Sequence, residues 1–249
     1  MQIDVSIIVP VKDEEENISI LANEINEAMK NVNLSWECIW IDDGSTDTTA
    51  ATLKKLNEED FRHRCLLLVR NFGQSAALSV GFQNARGDIV ATLFGDGQND
   101  PADIPRLIEV LQKNEVDMVN GIRHKRHDSF IRKISSKIAN NFRDWVTSDK
   151  VTDVGCSVRV FRFKCVKRIP LFRGMHRFFP TLVRMQGYTR IIESPVNHRP
   201  RMRGKTKYGI QNRLWVGLAD LAAVKWMQKR LVFPEIQPTA CATDSKEEK

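Results

Sequence analysis

The chain has 249 residues, 42% of them apolar, which suffices for one large α/β domain or one domain plus an appendage, and its net charge is +7. That charge points to an anionic partner, and no apolar run approaches the roughly 20 residues that span a bilayer. Five cysteines at wide spacings form no CxxC, and no basic region precedes the first apolar run, so a reduced, cytosolic protein without a signal peptide is expected.

Val5–Val9 is short and β-branched and predicts a first buried strand. Ile18, Leu21, Ile25 and Met29 recur at spacings of three and four, which predicts a helix. Glu37–Ile41 reads as the second strand, and Ser45 as the cap of a helix running through Leu53 and Leu56. Leu66–Val69 reads as the third strand, Ser75–Ala85 as the third helix and Ile89–Leu93 as the fourth strand. Pro101 opens a fourth helix at its first turn, and Val116–Val119 is the fifth strand. Such alternation implies a Rossmann-like, mainly parallel α/β sheet covered on both faces. Beyond about residue 122 the alternation fades. An amphipathic helix is expected around Ile131–Val146, and strands at Ser157–Phe161 and Thr189–Val196. Residues 199–213 form a basic loop, 214–231 an amphipathic helix, and the tail from Glu235 is expected to be disordered. Between Arg199 and Arg230 nine basic side chains stand against one acid, Asp220. The Trp215- and Trp226-bearing helix ends in Lys225, Lys229 and Arg230 and reads as a helix lying on an anionic bilayer; packing into the core is the competing reading.

In parallel α/β sheets ligands bind beyond the carboxyl ends of the strands. Pro10–Glu14 follows the first strand, Asp42-Asp43-Gly44-Ser45 the second, Arg70-Asn71 the third, Asp96-Gly97-Gln98 the fourth and Gly121-Ile122-Arg123 the fifth. One edge thus collects acidic, amide and basic groups. There is no GxxxxGK[ST] and no GxGxxG after the first strand, which argues against a P-loop enzyme and a standard dinucleotide fold. Carboxylate and amide oxygens suit a divalent cation that leaves positions for phosphates, and arginines hold phosphates bidentately. A nucleoside diphosphate carrying a leaving group fits those parts. No aromatic-studded basic sheet or reading helix supports a nucleic-acid partner.

The segments "SIIVPVKDEEENI", "WIDDGSTDTT", "RNFGQSAALSVGFQNARGD" and "GDGQNDPADIPRLIEVL" resemble the successive motifs of family 2 glycosyltransferases with the GT-A fold. The similar branch contains dolichol-phosphate mannose synthases and undecaprenyl-phosphate sugar transferases, and the likeness runs from about residue 5 to residue 230. It implies transfer of a sugar, with inversion, from a nucleotide-sugar to a polyprenyl phosphate, using Mg²⁺ or Mn²⁺. By that resemblance Pro10, Val11, Glu14, Asp42 and Asp43 border the nucleotide, and Lys205 and Lys207 of "GKTKYG" close over its diphosphate. Asp96 and Gln98 match positions that approach the metal. Arg123 and Arg132 match basic positions near the phosphates, and Asp153 an acidic position that orients the acceptor or contacts the donor sugar. Arg132, Ser136, Arg201 and Arg203 are the expected holders of the acceptor phosphate, and Asp96, Asp153, Arg123 and Arg132 the expected catalytic set. A departure stands at Phe94, where the family's Asp-x-Asp loop has its first aspartate. A phenyl ring cannot ligate a hard cation. Three consequences stay open: weaker metal affinity, a substitution that traps a complex, or binding without catalysis.

The resemblance divides the chain into a GT-A catalytic domain (1–198), a basic loop with a membrane-interface helix (199–233) and a tail (234–249). The expected place is the cytoplasmic face of a membrane, peripherally, on an anionic surface or beside a membrane partner subunit; a homo-oligomer is compatible with the same features. The ending "TDSKEEK" reads as a natural terminus. UDP is favoured over GDP from the phrasing "DGQNDPADIP", and the acceptor alternatives are a polyprenyl phosphate and a soluble polysaccharide.

Overall fold

The computed structural model describes residues 2–123, 144, 146, 147, 149, 151–200 and 213–234, the last with side chains from 217 onward. The elements run β1 (Val5–Val11), α1 (Glu15–Met29), β2 (Trp36–Asp42), α2 (Thr49–Glu59), β3 (His63–Leu67), α3 (Gln74–Asn84), β4 (Ile89–Thr92), α4 (Asp103–Lys113) and β5 (Met118–Arg123). They continue as β6 (Arg159–Arg162), a short α5 (Phe163–Val166), a 3₁₀ turn (Met175–Arg177), α6 (Phe179–Met185), β7 (Ile191–Val196) and α7 (Arg213–Arg230). All seven strands form one sheet in the order β3-β2-β1-β4-β6-β5-β7. β1 pairs in parallel with β2 and β4, β2 with β3, and β5 with β7. β6 alone runs antiparallel, between β4 and β5. The mainly parallel α/β sheet expected from the alternation is what forms.

Burial explains the sequence pattern. β2 is buried at every position and β1 at all but Pro10, as befits strands covered on both faces. One face packs Val5, Ile7, Val9 and Trp40 under α1 and α4. Helix α4 offers Ile104, Leu107, Ile108 and Leu111 to it, the spacing of one helical face. The other face packs Ile8, Ile39, Ile41 and Phe161 under α3 and α6. Helix α7 joins this second layer through buried Leu221 and Val224, while Trp226 is 62% exposed. Among the described residues no helix is long and apolar enough to cross a membrane.

Three expectations shift. The fifth strand is Met118–Arg123, not Val116–Val119, because its pairing with β7 continues to Arg123 and takes in Gly121-Ile122-Arg123. The third strand is His63–Leu67, not Leu66–Val69, and Val69 is 92% exposed. His63 is drawn in because its Nδ1 accepts the Trp40 indole N–H at 3.0 Å and its Nε2 lies 3.1 Å from Asn26 Oδ1. Burial pushes its pKa down to about 4, so the neutral ring serves as a strand residue. Ser45 does not cap α2, which begins at Thr49. Its hydroxyl donates to the Asp42 carboxylate and accepts the Asp13 N–H at 2.8 Å, stapling the β2 loop to the β1 loop. β6 and β7 match the expected strands to within two residues at either end. The helix read around 131–146 lies almost wholly outside the described residues, as does the basic loop from 201 to 212.

Candidate active site

The carboxyl ends of β1, β2 and β4 lie side by side in the sheet, so Pro10–Glu14, Asp42–Ser45 and the loop after β4 must meet. Hydrogen bonds join them. The Asp43 N–H donates to Val11 O at 2.9 Å, and the Glu14 N–H to Thr49 Oγ1 at 2.9 Å. Gly44 sits at φ +67, where a Cβ would come within 2.4 Å of the Arg70 carbonyl carbon, so the β2 loop lies directly against the β3–α3 loop.

Asp42 and Asp43 have distinct partners. Asp42 Oδ1 accepts the N–H and the hydroxyl of Ser45 and shapes the turn. Asp43 receives the Phe72 N–H on Oδ1 at 2.7 Å and the Gly73 N–H on Oδ2 at 2.9 Å. A carboxylate thus anchors the start of α3, where two backbone donors converge and helix polarity favours negative charge. Glu14, also buried, accepts the Asn17 amide at 2.6 Å.

The Asp96 loop is held from three sides. A Cβ at Gly95 would lie 2.4 Å from Val11 Cγ1, so this residue rests on the end of β1. Buried Asn99 accepts the Phe94 N–H at 3.1 Å and the Ser157 hydroxyl at 2.7 Å through one oxygen, closing the loop on itself and tying it to the segment just ahead of β6. Gln98 O accepts the Arg199 N–H at 2.8 Å, and Asn99 forms a bridge with His198. Within the loop Asp96 Oδ1 accepts the Gln98 N–H at 3.2 Å. Phe94 packs against the second apolar layer and brings no oxygen. Asp96 and Gln98 therefore offer one carboxylate and one amide, hard-oxygen chemistry that suits Mg²⁺ or Mn²⁺ completed by phosphates and water. Among the described residues no cluster of three or more His, Cys, Asp or Glu side chains stands ready to enclose a metal alone.

Across β6 the structure brings Arg123 and Asp153 together. Arg123 donates from Nε to Asp153 Oδ2 at 2.8 Å and from Nη2 to Oδ1 at 2.7 Å, and its backbone N–H reaches Oδ2 at 3.1 Å. This is a bidentate pair that fixes both side chains. Gly155 leaves space for it, since a Cβ there would lie 2.7 Å from Arg123 Nη2. Thr92 Oγ1 donates to Ser157 O at 2.7 Å, which connects this loop to the end of β4. Arg132, Ser136, Arg201, Arg203, Lys205 and Lys207 lie outside the described residues.

Several contributors carry no sequence motif. Asn99 carries no predicted role and is the keystone of the Asp96 loop. Arg199 looked like part of a free basic run, yet its guanidinium is shared by Glu24 at 2.8 Å and Asp100 at 3.0 Å. Asn120 and Arg159 are buried beneath the Asp153 loop. Only the alternation of polar and apolar residues in "MVNGIR" and "VRVFR" hinted at either.

Comparison with known proteins follows the same outline. Residues 6–170 match the family described as glycosyl transferase family 2. A dodecaprenyl-phosphate galacturonate synthase of Rhizobium johnstonii is 38% identical over 235 residues, 93% of this chain and 69% of the relative. An undecaprenyl-phosphate 4-deoxy-4-formamido-L-arabinose transferase of Edwardsiella ictaluri is 34% identical over 207 residues, covering 83% of this chain and 63% of its own. The chain thus spans roughly two thirds of these relatives. Glucosyl-3-phosphoglycerate synthase from Mycobacterium tuberculosis, solved with phosphoglyceric acid, superposes with a TM-score of 0.65 at 17% identity, over 91% of this chain and 80% of that one. The same enzyme with Mn²⁺ and UDP-glucose gives 0.64 at 17% identity over 91% and 79%. These superpositions show a shared GT-A-type fold.

Proposed function

The chain belongs to glycosyl transferase family 2, and from that premise we propose that it moves a sugar from a nucleotide-sugar, with UDP favoured, onto a polyprenyl phosphate at a membrane surface. The observation that carries the reading is the convergence of the Asp43, Asp96 and Arg123–Asp153 loops at one edge of the sheet, each locked by its own hydrogen bonds. Relatives named for dodecaprenyl- and undecaprenyl-phosphate sugar transfer support the acceptor class.

In this reading residues 1–198 form the catalytic domain and 199–233 its membrane-facing part. Pro10, Val11, Glu14, Asp42 and Asp43 border the base and ribose. Asp96 and Gln98 would hold Mg²⁺ or Mn²⁺, which would supply neutralising charge to the donor diphosphate. Lys205 and Lys207 close over that diphosphate, and Arg132, Ser136, Arg201 and Arg203 hold the acceptor phosphate. An inverting transfer is a single displacement at the anomeric carbon. A phosphate monoester is largely dianionic at neutral pH, with a second pKa of about 6, so it attacks without a general base. What it requires is orientation and positive charge. Asp153 fulfils the first need indirectly, by holding the Arg123 guanidinium in one pose. α7 presents exposed Leu218 and Trp226 beside Lys225, Lys229 and Arg230, an amphipathic edge suited to an anionic bilayer on the cytoplasmic side.

A second reading, a GT-A module that binds nucleotide without turnover, is favoured by one observation: the Phe94 ring is packed on apolar neighbours at the position where the family's loop supplies a carboxylate. The deciding experiment offers UDP- and GDP-sugars with Mn²⁺ and polyprenyl phosphate to the chain and to Phe94→Asp, and counts label in the lipid extract. Transfer by both, faster in Phe94→Asp, is expected. Nucleotide binding with no transfer by either identifies the binding module, and equal, metal-independent rates would refute the role given to the Asp96 loop.

A further inference from the structure

Arg159 is the one lysine or arginine fully buried among the described residues, at 2% exposure, and no described carboxylate pairs with it. Its partners are neutral. Nε donates to Asn120 Oδ1 at 2.8 Å, Nη2 to Val154 O at 2.6 Å and Nη1 to His176 O at 3.2 Å, and the guanidinium lies 5.2 Å from the centre of the Phe179 ring. Burial lowers its pKa only to about 10, so it is charged at neutral pH. A buried cation with no carboxylate in direct contact, Asp153 acting on it only at longer range, is costly, and an apolar side chain of similar volume fills such a space at lower cost. Packing alone does not call for arginine here. A rigid fork with donors in three directions does.

The three directions lead to the two halves of the proposed site. In the sheet Arg159 stands opposite Thr92 of β4 and Asn120 of β5, the strands whose loops carry Asp96 and Arg123. With Oδ1 taken by Arg159, the Asn120 amide turns Nδ2 to Asp153 O at 3.0 Å. The backbone carbonyls of Asp153 and Val154 are therefore both fixed, one through Asn120 and one directly. Both follow directly on the Asp153 Cα, whose carboxylate grips Arg123. In the other direction, His176 Nδ1 lies 3.1 Å from the hydroxyl of Ser75, in the first turn of α3, and that hydroxyl accepts the Gly174 N–H at 3.0 Å. Asp43 anchors the segment just before that turn.

We propose that Arg159 is a positioning residue for sugar transfer: it fixes the backbone immediately after Asp153, and thereby the pose in which Arg123 is presented, relative to the start of α3 on the Asp43 side. The proposal rests on the transferase reading above and is tested so that the two separate. Four variants are compared with the wild type: Arg159→Met, similar in length but without the fork; Arg159→Lys, which keeps the charge; Arg123→Ala; and Arg123→Ala combined with Arg159→Met. The readouts are kcat and donor KM, and amide hydrogen exchange over residues 152–156 against β1 and β2.

Arg159→Met should raise exchange at 152–156 while β1 and β2 stay protected, and lower kcat about 100-fold, the scale of an ångström-level misplacement, with donor KM little changed. Arg159→Lys should fall between it and the wild type, and it carries the test if the methionine variant does not fold. Because Arg159 acts through Arg123, the double variant should be no slower than Arg123→Ala. Multiplicative losses in the double variant, or unchanged exchange at 152–156, would overturn the proposal. If the wild type transfers nothing, the transferase reading fails on its own account; selective loosening of 152–156 then still supports the positioning role, and its absence overturns it.

Discussion

Gly95→Ala tests the contact on which the Asp96 loop rests. The backbone there has no positive φ, so alanine is conformationally allowed and its effect is steric. Its Cβ would lie 2.4 Å from Val11 Cγ1, whereas Val11 Cβ and Pro10 O lie at ordinary distances of 3.4 and 3.5 Å. Relief requires the loop to move outward by about 1 Å, carrying Asp96 and Gln98 away from the end of β1. A displacement of that size costs about 100-fold in rate when it misplaces catalytic groups, and overpacking of this kind costs about 1–3 kcal/mol in stability. The offending atom belongs to one side chain, so Val11→Ala should remove the clash. Transfer rates and UDP affinity in Mn²⁺ are measured for both single variants and the double. Gly95→Ala should lose most of its activity, and the double variant should recover at least about tenfold relative to it, a coupling well above the additive expectation for independent sites. A fully active Gly95→Ala, or a double variant no better than Gly95→Ala, would show that the loop's seat on β1 does not set the site's geometry.

Asn99→Ala should lower unfolding free energy by about 2–3 kcal/mol in urea titrations, because the Phe94 N–H and the Ser157 hydroxyl lose their shared buried acceptor. Asn99→Asp, which keeps an acceptor oxygen, should cost less, and equal losses would contradict that account. Acid should destabilise the fold through two buried histidines: burial depresses His63 to about 4 and His176 to about 3, below the ordinary 6.5, so the unfolded chain binds protons that the folded chain refuses. Their contribution is complete above pH 6.5 and declines as pH falls; between pH 8 and 5 each should remove about 2 kcal/mol, and a flat stability profile over that range would disprove it. Trp226→Ser should leave the melting temperature unchanged, since the ring is 62% exposed, and weaken binding to anionic vesicles. Unchanged vesicle binding would remove α7 from the membrane reading.

The sequence exposed the site's skeleton because parallel α/β folds place polar residues at strand ends, and five such clusters lay at the right spacing. It failed where polar residues are buried by partners remote in the chain. "LLLV" outscored "HRCLL" as a strand until Trp40 supplied His63 with a donor from the neighbouring strand. Arg159 in "VRVFR" has the period of a strand with one wet face, yet both faces of this sheet are covered, so the alternate residue points into protein. Ser45 has the right chemistry for a helix cap and serves as a staple between loops, because Asp13 and Asp42 reach it before the helix starts. In each case the local pattern was sound and a contact across roughly 25 or more residues overrode it.

Charge bookkeeping at the rim sharpens what Phe94 means. Of the arginines there, Arg123 is compensated by Asp153 and Arg199 by Glu24 and Asp100, while Arg70 stacks on the Phe72 ring beyond the edge strand. In the proposed reading a donor diphosphate entering this edge would meet two arginines, Arg123 and Arg199, already paired with carboxylates. Further neutralisation would then fall to a divalent ion at Asp96 and Gln98, or to the basic residues between 201 and 207. The Asp96 loop does not depend on such an ion for its shape, because Gly95, Asn99 and the Asp96–Gln98 turn hold it through protein contacts alone. Phenylalanine at position 94 is thus tolerated by the fold, and its consequence would fall on the ligand. In the proposed reading it would offer an ion one carboxylate fewer while leaving the scaffold intact, so more of the diphosphate's neutralisation would fall to the basic residues between 201 and 207.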